Sequence, residues 1–100
     1  MKVENMRSSK GNKTPNQFII ESRIGRFFQS YKSTIALIPY SYNNTKPLKD
    51  RMPNEKIMLD RDKWDYSVTT GKFRNIFLGE KRAETEKKIK SGEYILTNLN

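Results

Sequence analysis

The chain has 100 residues, of which 34% are hydrophobic and 31% charged, and its 20 Lys/Arg outweigh 11 Asp/Glu for a formal net charge of +9. That length supports one core and no more, and the aromatic residues (one Trp, five Tyr, five Phe) argue against wholesale disorder. With no Cys and no His, disulfides, thiolate zinc sites, cysteine nucleophiles and histidine general bases are all excluded.

Residues 1–16 are short of apolar groups. They are expected as a flexible or edge-strand segment, with Lys2 to Arg7 able to pair and Gly11 to Asn16 reading as a loop. From Gln17 onward a single α+β domain is predicted, residues 17–100. Gln17-Phe18-Ile19-Ile20-Glu21 reads as a strand, and Arg23-Ile24-Gly25-Arg26 as a hairpin turn supplied by Gly25. Arg26 to Tyr31 is the return strand, whose alternation sends Phe28 to one face and Phe27, Gln29 and Tyr31 to the other. The more continuously apolar Ser33 to Ile38 is a third strand. Residues 40–55, with Pro47 and Pro53, are a long loop, and Lys56 to Leu59 a short strand.

The second half turns helical. Asp60 to Asp65 is predicted as a turn that tucks Trp64 onto the sheet. Thr69 or Thr70 caps a helix ending near Leu78, with Phe73, Ile76 and Phe77 on one face. Gly79 stops it. A second helix, Glu80 to Lys90, carries Glu84–Lys88 and Glu86–Lys90 pairs at i, i+4 spacing and ends at Gly92. Glu93 to Leu96 returns as a last strand. The expected architecture is α+β: a small antiparallel sheet of four to five strands packed by two C-terminal helices.

The charge is uneven. Residues 1–49 hold nine Lys/Arg against Glu4 and Glu21, while residues 50–100 hold eleven against nine acids. An excess of this kind attracts polyanions, whether nucleic acid or an acidic protein patch. The segment Trp64 to Asn75 sets hydroxyls and free backbone N–H groups at a helix start, with Lys72 and Arg74 close by, which suits a phosphate. The plainer reading is that Ser67, Thr69 and Thr70 cap the helix while the aromatics fill the core. A second candidate surface is the hairpin, with Arg23, Arg26, Tyr31 and Lys32, where exposed aromatics among basic residues suit base stacking. Tyr40 and Tyr42 in the long loop are partner-contact candidates.

Catalysis is not expected. Ser30, Ser33, Ser67, Thr69 and Thr70 have no histidine to activate them, and the five glycines form no phosphate loop. Asp60, Asp62 and Asp65 resemble a hard-cation site, but Arg61 and Lys63 interleave them and turn or cap roles explain the same residues. No metal or cofactor is expected. The longest apolar run, Thr34 to Pro39, is too short to cross a bilayer, and the opening MKVENMRSSK lacks a signal-like stretch, so a cytoplasmic location without membrane association is predicted.

The pattern Phe28-Gln29-Ser30-Tyr31-x-Ser33-x-Ile35-Ala36, followed by Trp64-Asp65-Tyr66-Ser67-x-Thr69-Thr70-x-x-x-Arg74-Asn75-x-Phe77-Leu78, resembles an uncharacterised family of small bacteriophage- and prophage-encoded proteins. Arg7-Ser8-Ser9, Gly11-Asn12, Asn16-Gln17-Phe18 and Lys88 to Tyr94 are similar too; residues 40–55 depart from it, since family members have a short turn there. The resemblance implies a virus-encoded accessory protein acting inside a bacterium. Three functions follow as expectations. The first is an anti-CRISPR-like inhibitor that binds a host defence effector or its nucleic acid. The others are a direct DNA- or RNA-binding protein for phage replication or transcription, and a sponge for a nucleotide second messenger. A second copy of the chain is an open possibility as partner.

Overall fold

Order along the chain runs through four strands, a loop, a fifth strand, two helices and a sixth strand, in a computed structural model that describes residues 2–8 and 10–100. Met1, and Ser9 of the opening motif, lie outside the described residues. The strands are β1 (Lys2–Arg7), β2 (Lys13–Glu21), β3 (Gly25–Ser30), β4 (Ser33–Pro39), β5 (Ile57–Asp60) and β6 (Tyr94–Thr97). The helices are α1 (Val68–Leu78) and α2 (Arg82–Ser91). All six strands form one sheet in sequence order, antiparallel from β1 to β5 and parallel between β5 and β6.

The α+β expectation holds, with a larger and mixed sheet. Lys13 to Asn16, read as loop, belong to β2, and β1 occupies the sheet edge. The parallel β5–β6 pair needs a long crossover, and α1 and α2 supply it. Residues 40–55 form the long loop, stiffened by short 3-10 turns at Leu48–Asp50 and Pro53–Glu55. Among the described residues no helix is long and apolar enough to cross a membrane.

Strand alternation sorts the sheet into two faces. The helix-covered face carries Phe28, Ala36, Ile57, Leu59 and Tyr94, which join Met6, Ile35, Phe73 and Phe77 in the core. Phe28 and Phe77 meet with ring centroids 5.8 Å apart. Between β3 and β4 the register slips, so that Ile35 is an extra residue beside Ala36 and both are buried in this core. The opposite face has no helix over it. There Val3, Ile20, Phe27, Leu37, Met58 and Ile95 stand directly opposite one another from β1 to β6, an apolar row crossing every strand.

Candidate functional site

Topology gathers six of the chain's cations at one end of the sheet. β1 and β3 finish there, β2 and β4 begin there, and β5 finishes there before the chain turns into α1. The strand ends and connections there hold Arg7, Lys10, Lys13, Lys32 and Arg61, and Lys72 follows in the second turn of α1. All six are exposed, and none takes part in an ion pair among the described residues. From β1 to β5 the strands span about 20 Å at the usual spacing. Asp62, in the adjoining turn, is exposed as well. Asp60 is buried and engaged: it accepts the N–H of Leu99 at 2.8 Å and of Asp62 at 3.2 Å. Burial works against its charge, but these donors and Asn100 prevail and hold its pKa below the ordinary carboxylate value.

Two backbone outliers mark the same end. Tyr31 (φ 56°) and Asn16 (φ 65°) are non-glycine residues in the left-handed region, and the Tyr31 N–H donates to the Asn16 carbonyl at 2.6 Å. Such conformations cost on the order of 1–3 kcal/mol and concentrate where the fold holds a side chain in place. Tyr31 is 50% exposed, so its ring stands free beside Lys32.

The start of α1 adjoins this turn. Ser67 is the cap, its hydroxyl accepting the Thr70 N–H at 3.1 Å, where Thr69 or Thr70 was expected. The N–H groups of Val68 and Thr69 have no acceptor within the helix, and Thr69 is exposed. Thr70 turns inward and shares a hydrogen bond with Ser30. Arg74 is also internal, at 1% exposure. Its guanidinium donates to the Trp64 carbonyl at 2.6 Å, to Asp65 at 3.1 Å and to Asn75 at 3.0 Å, and it lies over the Trp64 ring at 5.1 Å. Arg82 approaches the same ring at 5.5 Å and binds the other Asp65 oxygen at 2.7 Å. Burial of Asp65 opposes its charge, but Arg82 and Arg74 outweigh it and lower its pKa. Ser67, Thr70, Arg74 and Asn75 therefore serve the fold, while Thr69 and Lys72 remain outward.

The expected site residues thus divide between two ends of the sheet. Tyr31, Lys32, Thr69 and Lys72 share the basic end. Arg23, Arg26, Tyr40 and Tyr42 lie at the other, where the Tyr40 N–H donates to the Ile24 carbonyl. There Arg26 sits over the Phe77 ring at 5.7 Å, and Tyr42 packs half-buried against the core. The sequence reading missed Arg7, Lys10, Lys13 and Arg61. Each sits at a strand end or turn whose position depends on strand order; for Arg7, Lys10 and Lys13 the available signal was the excess of charge in residues 1–49, and for Arg61 there was none.

Outward of α1 lies an open groove of about 820 Å³ bordered by Tyr66, Val68, Lys72, Ile76 and Arg82. Ile76, expected on the buried helix face with Phe73 and Phe77, is 51% exposed there. The chain belongs to a family of unknown function, DUF8033, whose model matches residues 1–93. No curated protein and no solved structure matches it.

Proposed function

We propose that this protein is a non-enzymatic accessory protein that binds nucleic acid at the basic end of its sheet, and that it is phage-encoded and acts in the bacterial cytoplasm against a nucleic-acid-targeting defence. The observation that carries the binding reading is the convergence of Arg7, Lys10, Lys13, Lys32, Arg61 and Lys72, all exposed and without ion pairs among the described residues, around the left-handed Tyr31. Cations held apart along about 20 Å of sheet edge suit a row of phosphates better than a single anion. An exposed ring among them can stack on an unpaired base, which favours single strands. The same end would let the protein occupy the place of a guide or target strand on an effector.

The nucleotide-sponge reading has less support. A small phosphate ligand at the start of α1 would need Ser67, Thr70 and Arg74, and the fold engages all three side chains. The deciding experiment is fluorescence anisotropy with labelled single- and double-stranded DNA and RNA across a salt series. Binding that weakens linearly in log salt is expected, along with a marked loss in the Lys10→Glu, Lys13→Glu, Lys32→Glu triple variant. Reversing Lys49 and Lys87, outside the basic end, should change little. Absence of binding even at low ionic strength, or equal loss from both sets, defeats the reading. The anti-defence role is tested separately, by interference against a targeted phage in cells expressing the protein.

A further inference from the structure

β1 is one of the two edge strands, paired to β2 on one side only, so every other backbone N–H and C=O along it faces outward. Natural edges are usually blunted by proline, bulges or inward-pointing charge. Along β1 the register slips between Asn5 and Arg7, which leaves Lys2 to Asn5 as a regular stretch without proline. Val3 stands on the uncovered face at 55% exposure, as the first member of the apolar row that ends at Ile95. Lys2 and Glu4 stand on the other face, their side chains 68% and 59% exposed and 3.6 Å apart.

We propose that this edge pairs antiparallel with β1 of a second copy of the chain, about a twofold axis through Val3. In that register Val3 faces Val3 of the second copy. Lys2 of each copy faces Glu4 of the other, so that opposite charges meet across the strands on one face and apolar groups on the other. The neighbouring registers that keep the faces matched lack this property. Sliding by two residues in one direction sets Lys2 against Lys2 on the axis, and in the other direction Glu4 against Glu4; like charges directly opposite are destabilising. A slip of one residue places Val3 opposite Glu4. The product is a continuous twelve-stranded sheet with helices on one side, an apolar row running its full width, and the two basic ends directed oppositely. This pairing does not depend on nucleic-acid binding.

The test is sedimentation equilibrium of the full chain over a wide concentration range, with circular dichroism to verify folding. The wild type should show a monomer–dimer equilibrium. Lys2→Glu and Glu4→Lys, both at exposed positions, should each weaken it about tenfold, since each turns two attractive cross-strand pairs repulsive. The two variants mixed in equal amounts should associate with each other, because every facing pair is then of opposite sign. A wild type that remains monomeric throughout overturns the proposal. Single reversals that leave association unchanged, or variants that fail to associate when mixed, overturn it equally.

Discussion

Ser30 and Thr70, forty residues apart in the chain, share a hydrogen bond of 2.9 Å between hydroxyls with no exposure to solvent. It ties the end of β3 to the start of α1, and with it the Tyr31–Lys32 turn to the helix N-terminus. The two surfaces proposed to share one ligand are held in register by this contact.

Removing either hydroxyl alone leaves the other buried without its partner. Ser30→Ala or Thr70→Val should each destabilise the fold by about 1–3 kcal/mol, and the double variant by less than the two combined. Urea denaturation of the four chains measures the cycle. Gln17, opposite Ser30 in the β2–β3 ladder, is 1% exposed, and neither amide atom has a partner among the described residues. Gln17→Met should raise stability by about 1 kcal/mol.

Acid should unfold the protein through three carboxylates. Glu80 accepts hydrogen bonds from Lys88 at 2.7 Å, Thr85 at 2.6 Å and Tyr94 at 2.9 Å. Its burial opposes ionisation, yet these donors hold its pKa below the ordinary value, as partners also do for Asp60 and Asp65. A carboxyl whose native pKa is depressed contributes stability that is complete above its unfolded pKa and lost as pH falls through the native one. The urea midpoint should therefore hold steady through neutral pH and drop once pH passes below the ordinary carboxylate values of 3.8–4.5. Glu80→Gln should lower the neutral plateau by about 1–3 kcal/mol and make the acid slope shallower. At the alkaline side, burial first and then the Glu80 carboxylate raise the Tyr94 pKa, so its phenol should resist titration while the fold persists.

Arg74 holds the Asp60–Ser67 connection against α1. Arg74→Ala should cost about 1–3 kcal/mol, because the Trp64 carbonyl loses its donor, while Asp65 keeps Arg82 as partner. Trp64 is the single tryptophan and lies beside both guanidiniums, so its emission reports the site. Asp65→Asn should shift that emission while leaving nucleic-acid affinity close to wild type, which separates support of the fold from contact with a ligand.

Gly25 is required for space. A Cβ there would clash with the Ile38 carbonyl oxygen and come within 2.7 Å of the Pro39 Cα, both backbone groups of the adjacent strand. Gly25→Ala should destabilise by about 1–3 kcal/mol, read as a lower thermal midpoint.

Local features were legible in the sequence where one element's own pattern decides them. Alternation separated Phe28, which the core buries, from Phe27, which faces away from the helices. Gly79 and Gly92 end their helices in the left-handed conformation as expected. The errors arose where a distant element decides. Thr70 is a good cap by composition, but Ser30 takes its hydroxyl inward and Ser67 caps instead. Lys88 has Glu84 one turn away, yet it reaches the less exposed Glu80, which Tyr94 also binds. Ile76 fits the apolar stripe by spacing, but the sheet beneath α1 is filled by Phe73 and Phe77. The basic end was invisible because no sequence window contains it; strand order alone sets the β1–β2, β3–β4 and β5–α1 connections side by side.

The crossover between β5 and β6 also sets the order in which the molecule can be completed. β1 to β4 meet through short connections whose closure entropy is small, so this meander can collapse early. β6 pairs only after residues 61–93 have folded back over the sheet, and β5 has its second neighbour only then. Until that crossover is in place β5 is a bare edge, and the molecule is most exposed to aggregation in this interval.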